Sequence, residues 1–163
     1  FTDVQSSTKL WENRKMEMAE AISLHDGILR GLLKKHKGYE VRTEGDAFFV
    51  VFGDVMDAFN WCVRTSSSMR AHRTMMIMIM IMMKLRQFTG TPHQFDQQTL
   101  CYEPYWAGVR VRMGVHIGMP NSRRNPVHGR MEYFGPVVNE ADRIADSGHG
   151  GQVLPTAATS YIR

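Results

Sequence analysis

Residues 39–52 read YEVRTEGDAFFVVF and decide the fold. Two strand-like runs, rich in Val, Phe and Tyr, flank a short turn that contains Gly45. Glycine suits such a turn because it adopts backbone conformations that other residues avoid. The stretch therefore predicts a β-hairpin. Gly53 and Asp54 end it, and Asp54 is a suitable N-cap for a helix that runs to about Arg73.

Upstream of the hairpin, the pattern predicts a short strand and one long helix. Phe1–Val4 is typical of the end of a buried strand, and residues 6–8 (Ser-Ser-Thr) are favourable helix N-caps. Apolar residues then recur at helical spacing from Leu10 to about His36. Basic residues gather at the end of this helix, and we expect Gly38 to stop it.

Downstream, the hydrophobic pattern alternates between strand and helix. Residues 109–117 alternate with period two, which predicts a strand, and residues 120–128 are polar and typical of a loop. We expect a helix over 137–145, a strand over 152–154 and a short helix over 156–162. The order predicts an α+β fold with a ferredoxin-like βαββαβ core, in which helices pack on an antiparallel sheet.

Length and composition bound the class of protein. The chain has 163 residues, of which 43% are hydrophobic, so it is long enough for one packed domain over 1–163 and too hydrophobic for a disordered tail. No apolar run reaches the roughly 20 residues that span a bilayer. Two cysteines give neither a disulfide framework nor zinc spacing. Since the chain starts at Phe1, we expect a domain of a longer protein.

One region departs from this pattern. Residues 75–83 alternate Met and Ile almost without interruption, within a stretch of about 74–105 that we interpret as a variable insertion. The alternatives are the buried end of the second helix and, less favoured, a groove for a cofactor or partner, because Met packs flexibly.

The net charge of +4 raises the hypothesis that the chain binds nucleic acid. The cations are spread along the chain and mixed with carboxylates, as on an ordinary solvated surface. We therefore expect no nucleic-acid partner. An RNA-binding sheet would need exposed aromatic residues on its central strands, and Phe48, Phe49 and Phe52 lie in a run that looks buried.

Two acids are the first candidates for chemistry. Asp3 ends the first strand and Asp46 lies in the hairpin turn, and in a ferredoxin-like sheet these strands are neighbours. Two carboxylates at one sheet edge repel each other unless a cation lies between them, and a pair of Mg²⁺ ions about 3.5–4 Å apart would serve phosphoryl transfer. The alternative is that both aspartates only form turns.

Three basic or amide side chains are the next candidates. Asn139 and Arg143 lie four residues apart and so share one face of the predicted helix, where they could orient a ribose and hold a phosphate. Arg112 lies among apolar strand neighbours, which indicates either an ion pair or an anion contact. The alternative for the helix pair is a solvated face. His116 is interpreted as a hydrogen-bonded core residue.

Five segments taken together resemble a known family. They are FTDVQSST (1–8), YEVRTEGDAF (39–48), VRVRMGVHIG (109–118), YFGPVVN (133–139) continued to Arg143, and GGQV (150–153). In this order the chain resembles the class III adenylate and guanylate cyclase catalytic domain, most closely the fungal and trypanosomatid adenylate cyclases. The match covers nearly the whole chain except residues 74–105.

The resemblance implies a role for each matching position. Asp3 and Asp46 correspond to the metal-binding aspartates, with the Val4 carbonyl as a further ligand for two Mg²⁺ or Mn²⁺ ions. Arg112 corresponds to the arginine that contacts the triphosphate. The remaining correspondences are Asn139 for ribose orientation, Arg143 for transition-state stabilisation, and Arg42 with Glu132 for reading the purine.

The implied activity is conversion of ATP to 3′,5′-cyclic AMP and pyrophosphate in signal transduction. Adenine offers an acceptor at N1 and a donor at N6, and the cation–acid pair Arg42 and Glu132 matches these better than it matches guanine. The family works as a head-to-tail dimer, so we expect a homodimer or a cyclase heterodimer with sites at the interface. We expect a cytoplasmic domain that contacts a membrane only through other parts of its parent protein.

Three departures from the family keep other hypotheses open. Glu140 and Asp142 add negative charge beside Asn139 and Arg143, and no lysine follows Lys84 to match the family's second phosphate-binding lysine. The alternatives are a weakly active domain that serves as a regulatory dimer partner, or a guanylate cyclase.

Overall fold

The fold is described from a computed structural model, in which residues 1–71 and 109–159 are described. The predicted insertion at 74–105 and the end of the last predicted helix lie outside these residues. The helices and strands run in the order β1 Thr2–Val4, α1 Ser7–Asn13, α2 Lys15–Lys35, β2 Tyr39–Glu44, β3 Ala47–Val51, α3 Val55–Ala71, β4 Val111–Val115, β5 Asn121–Arg124, β6 Met131–Phe134, α4 Pro136–Ser147, β7 Val153–Pro155 and a 3₁₀ turn Ala157–Thr159.

The main sheet has the strand order β2-β3-β1-β4-β7. Its first four strands pair antiparallel in the ferredoxin-like order, and β7 adds a parallel edge beside β4. The predicted α+β class and ferredoxin-like core are therefore confirmed. The three-residue β1 lies at the centre, between β3 and β4.

The predicted hairpin is confirmed, with β2 and β3 joined at Gly45, whose φ of +61° is left-handed. A register shift lies between Glu40 and Arg42 on β2. The predicted capping of the following helix is also confirmed, because Asp54 Oδ1 accepts hydrogen bonds from the amides of the first turn of α3.

The single long helix predicted from Leu10 to His36 is wrong, because the chain leaves helical geometry at Arg14 (φ −147°). The Asn13 side chain donates to the Lys9 carbonyl at 2.8 Å just before this break, and the Arg14 amide still donates to the Leu10 carbonyl. The predicted N-cap is also wrong in detail, since Ser6 is left-handed and its side chain makes no capping bond.

Helix α2 ends at Lys35, close to the predicted end near His36, but the role expected of Gly38 differs. Lys37, not Gly38, takes the left-handed conformation, with φ +54°, while the Gly38 amide donates to the Leu33 carbonyl at 3.0 Å. Gly38 is needed for close packing instead. A Cβ there would lie 2.3 Å from Leu33 Cδ1 and 2.5 Å from the Phe52 ring.

The core lies between the sheet and the helices α2 and α3. The Trp61 indole donates to the Leu29 carbonyl at 3.2 Å, which ties α3 to α2 in the core. Because side chains alternate along a strand, residues on one sheet face share this core. Its most buried members are Val4, Met18, Leu29, Phe48, Trp61, Cys62, Val111 and Met113.

Helix α4 lies on the opposite face of the sheet, against β4. Val111, Met113 and Val115 face the core, so Gly114 faces the other way. A Cβ on Gly114 would lie 2.4 Å from the Ala145 amide nitrogen, so the helix backbone touches the strand there. Asp3 and Arg112 also alternate with core residues, and so this second face carries the candidate site.

The polar loop predicted over 120–128 is wrong in its first half, whereas residues 125–128 lie outside any helix or strand. Residues 121–124 form β5, which pairs with β6 as a separate two-stranded sheet, and all four of its residues are exposed. Pairing with β6 rather than burial holds this strand. Within the described ranges, no helix is both long and apolar enough to cross a bilayer.

Candidate active site

Of the two predicted metal-binding aspartates, Asp3 lies on β1 and Asp46 lies in the turn of the neighbouring hairpin. The Val4 amide donates to Asp46 Oδ2 at 3.0 Å, so the hairpin turn is tied to the end of β1 beside Asp3. Asp46 is 9% exposed, and this amide is the only hydrogen-bond donor to its carboxylate among the described residues. A buried carboxylate with one neutral donor favours a nearby cation.

Asp3 already has a cation beside it. Arg112 is its cross-strand partner in the β1–β4 register, and Asp3 Oδ2 accepts from Arg112 Nε at 2.9 Å and from Nη2 at 2.6 Å. The same guanidinium reaches α4, where it donates to the Asp146 carbonyl at 2.8 Å and to Asp146 Oδ1 at 2.9 Å. Arg112 therefore links β1, β4 and α4 at one point.

The donor set suits a hard divalent cation. Asp3, Asp46 and the Val4 carbonyl offer oxygen atoms, and Mg²⁺ binds through one or two carboxylates while it keeps waters and substrate phosphates. In the described part of the chain, no three His, Cys, Asp or Glu side chains converge as a metal cluster. An ion here would therefore draw its remaining ligands from water or substrate.

The exposed face of α4 carries the next two predicted residues. Asn139 and Arg143 are both exposed, one turn apart. Arg143 Nη2 donates to Glu140 Oε2 within the same helix, so one departure from the family pattern holds the arginine directly. Asp142, the other departure, is also exposed on this helix.

The two predicted purine readers lie on adjacent elements but are not in contact. Arg42 on β2 pairs with Glu44 at 3.2 Å. Glu132 on β6 accepts from Asn125 Nδ2 at 2.5 Å and from Arg123 Nε at 2.8 Å. The hydrogen bond from Asn125, followed by that from Arg123, lowers the pKa of Glu132, so this carboxylate stays an acceptor.

Two histidines of the described residues make defined contacts. His116 Nδ1 lies 2.9 Å from Thr156 Oγ1, so its predicted hydrogen bond is present, although the residue is half-buried rather than part of the core. His25 is fully buried on α2 and lies edge-on to the Phe48 ring at 5.6 Å. Desolvation lowers the pKa of His25, which keeps its ring neutral near pH 7.

Sequence reasoning missed two residues of the site. Asp146 holds Arg112 from α4, and Tyr39 accepts a hydrogen bond from the Met131 amide beside Glu132. Asp146 lies seven residues after Asn139, on the same helix face, and helical spacing could have indicated it. Nothing in the local pattern points to Tyr39.

Comparison with known proteins decides the family. The model of the adenylate and guanylate cyclase catalytic domain matches residues 1–162. The chain belongs to this family. The resemblance to class III cyclases is therefore confirmed, and the sheet, the Asp3–Asp46 edge and α4 are parts of a cyclase domain.

Relatives with curated names include fungal and trypanosomatid cyclases. The cyclase domain is 37% identical over 169 residues to an adenylate cyclase of Neurospora crassa, with 99% of the chain and 6% of that protein covered. It is 31% identical to a receptor-type adenylate cyclase of Trypanosoma brucei brucei, with 97% and 13% covered. The chain thus spans a small part of these relatives.

A solved structure shares the fold. An adenylate cyclase from Trypanosoma brucei, solved in its monomeric state, superposes with a TM-score of 0.76 at 28% identity, with 98% of this cyclase domain and 71% of that chain covered. The match covers nearly the whole chain.

Proposed function

We propose that this cyclase domain converts ATP to 3′,5′-cyclic AMP and pyrophosphate. The observation that carries the proposal is the edge formed by β1 and β3, where the Asp46 carboxylate binds the Val4 amide next to Asp3 and Arg112. Acidic oxygens and a guanidinium meet there on the sheet face that also carries α4. Such a site suits a triphosphate with divalent cations.

In this proposal Asp3, Asp46 and the Val4 carbonyl hold two Mg²⁺ or Mn²⁺ ions. Bound there, the ions would lower the pKa of the ribose 3′-hydroxyl and offset the charge of the triphosphate. The bond from O3′ to the α-phosphorus forms as the bond to the β-phosphate oxygen breaks, pyrophosphate leaves, and the hydroxyl proton passes to solvent.

The basic and amide side chains act on the nucleotide. A guanidinium binds phosphate oxygens as well as carboxylates, so Arg112 can exchange Asp3 for the triphosphate when the nucleotide binds. Asn139 orients the ribose so that O3′ attacks in line. Arg143 leaves Glu140 and stabilises the charge that grows on the phosphate oxygens in the transition state.

Base selection follows from Arg42 and Glu132. The Arg42 guanidinium donates to adenine N1, and the Glu132 carboxylate accepts from N6. Guanine carries a donor at N1 and an acceptor at O6, so the same pair would oppose it. We therefore expect ATP to be preferred over GTP in a head-to-tail dimer that completes the site.

The test measures cyclic AMP and cyclic GMP formed by the full-length protein with Mn²⁺. Asp46→Asn keeps an acceptor for the Val4 amide but removes the charge, and should lower kcat/KM about 100-fold or more. The matched control is Asp57→Asn on α3, which should keep wild-type activity. Equal rates for wild type and Asp46→Asn, or GTP used better than ATP, would contradict the proposal.

A second function is favoured by the Arg143–Glu140 contact. Glu140 holds the proposed transition-state arginine, and a domain in which this pair persists would serve as a regulatory dimer partner. Glu140→Gln separates the two functions. If Glu140→Gln turns over faster than wild type, the domain is an enzyme whose Arg143 is held back by Glu140. If wild type and Glu140→Gln both bind nucleotide and form dimers but neither turns over, the domain is a regulatory partner.

A further inference from the structure

The hairpin β5–β6 is joined to the main sheet through a small set of contacts at the start of β2. It forms its own two-stranded sheet, with no strand pairing to the five-stranded one in the described residues. Its contacts with β2 are therefore made by side chains, while α4, which follows β6 directly, holds its other end. The position of the hairpin matters because β6 carries Glu132 and β2 carries Arg42.

Tyr39 takes part in most of these contacts. Its hydroxyl accepts a hydrogen bond from the Met131 amide at 3.0 Å, its ring lies edge-on to the Tyr133 ring at 6.3 Å, and the Arg130 guanidinium lies 5.8 Å from its centroid. Arg130 also donates to the Glu40 carbonyl. One side chain thus contacts three of the hairpin residues that surround Glu132.

The strand on the other side of these contacts is itself fixed. Arg30 on α2 binds Glu40 through Nε and Nη2, each at 3.0 Å, and Thr43 Oγ1 donates to Glu40 at 2.7 Å. The bidentate pair holds β2 at its register shift, between Tyr39 and Arg42. The backbone next to Tyr39 is therefore held in place by α2.

We propose that Tyr39 is a positioning residue that sets the separation of Arg42 and Glu132 and thereby the choice between adenine and guanine. The inference rests on the proposed function, because it assigns base reading to these two side chains. Tyr39 touches Met131, the neighbour of Glu132, and lies three residues before Arg42 on the same strand. It acts on the base through them and not on the reacting atoms.

Two tyrosines allow a matched test. Tyr39→Phe removes the hydroxyl that accepts the Met131 amide and keeps the ring contacts. Tyr133→Phe removes the hydroxyl of the facing ring, which makes no hydrogen bond within the described residues. Both variants lose one oxygen at the same ring pair, so their difference isolates the hydrogen bond.

The experiment compares kcat and KM for ATP and GTP in the full-length protein. Tyr39→Phe should raise KM for ATP and lower the ATP-to-GTP ratio of kcat/KM about tenfold, with kcat for ATP changed less than about threefold. Tyr133→Phe should leave the ratio unchanged. Arg130→Met, which removes the other contact to β2, should lower the ratio in the same direction, and circular dichroism verifies folding of each variant.

Three results would overturn the assignment. The first is an ATP-to-GTP ratio of kcat/KM that is the same in wild type and Tyr39→Phe. The second is a fall of this ratio that is equally large in Tyr39→Phe and Tyr133→Phe. The third is a fall in kcat for both ATP and GTP that leaves the ratio unchanged. The last result would show that Tyr39 only supports the structure.

Binding of 3′-deoxyATP and 3′-deoxyGTP separates this inference from the proposed function, since neither nucleotide can cyclise. Suppose that wild type makes no cyclic nucleotide but binds 3′-deoxyATP better than 3′-deoxyGTP. If Tyr39→Phe loses this preference and Tyr133→Phe keeps it, the proposed function fails and the role of Tyr39 stands. If wild type binds neither nucleotide, both fail.

Discussion

Replacing Gly114 by alanine should separate α4 from the sheet. The added Cβ would lie 2.4 Å from the Ala145 amide nitrogen, 2.7 Å from the Ala141 carbonyl oxygen and 2.8 Å from Ala145 Cα. These are backbone atoms, so no rotamer change relieves the contact. Since ordinary contact begins near 3.4 Å, the helix has to retreat by about 1 Å.

The size of the effect follows from this displacement. Overpacking by one methyl group costs about 1–3 kcal/mol, and the rigid backbone of α4 favours the upper end. The helix carries Asn139 and Arg143, and a shift of about 1 Å in groups that act on the substrate lowers a rate about 100-fold. We therefore expect Gly114→Ala to reduce both the free energy of unfolding and the proposed turnover.

Urea denaturation and a cyclic AMP assay measure the two effects. Gly31→Ala on α2 is the matched control, because a Cβ there meets no atom within 4 Å and alanine should stabilise the helix by about 0.5–1 kcal/mol. If Gly114→Ala unfolds at the wild-type urea midpoint with wild-type turnover, the packing of α4 on β4 is not as described.

Three further results are expected. Trp61→Phe should lower the free energy of unfolding by about 1–3 kcal/mol in urea, because it leaves the buried Leu29 carbonyl without its indole donor; an unchanged midpoint would contradict this. The hydrogen bond from Arg30 lowers the pKa of Glu40 in the folded protein. Wild type should therefore be more stable than Glu40→Gln above about pH 4.5 and should lose this advantage as the pH falls through the lower folded pKa. Denaturation from pH 3 to 7 measures the difference in free energy of unfolding between the two proteins, and a difference that does not change with pH would refute the prediction. Burial raises the pKa of Cys62 to about 12, so iodoacetamide at pH 8 should label it only after unfolding, as peptide mapping would reveal.

The elements that bury one face were predictable from sequence. The hairpin at residues 39–52 has two runs rich in Val, Phe and Tyr around a glycine turn, and residues 109–117 alternate apolar residues with the period of a strand. The structure has strands within each of these runs. Strand β5 has no such pattern, since all four residues of Asn121–Arg124 are polar and exposed. Pairing with β6 holds it, and hydrophobic periodicity does not report pairing.

The break at Arg14 was hidden for a different reason. Apolar residues keep helical spacing across α1 and α2, so periodicity continues where the backbone does not. A hydrophobic pattern does not detect a change of backbone dihedral angles at one residue, and the break lies at such a residue.

The site was predictable where neighbours follow from topology. Placing β1 beside β3 brings Asp46 to the end of β1, and the Val4 amide meets its carboxylate. The pairing of Asp3 with Arg112 depends on the register of β1 with β4, which the sequence alone left open. The bond from the Met131 amide to Tyr39 joins residues 92 apart and needs the three-dimensional structure.

The central place of β1 also affects how the chain is made. This strand of three residues pairs on one side with β3 and on the other with β4, whose residues come more than 100 positions later. The hairpin β2–β3 is local and can form early, but the middle of the sheet closes only after β4 leaves the ribosome. Until then the edge of β1 that will meet β4 stays unpaired, so it is open to pairing with other strands while the segment between β1 and β4 is being made.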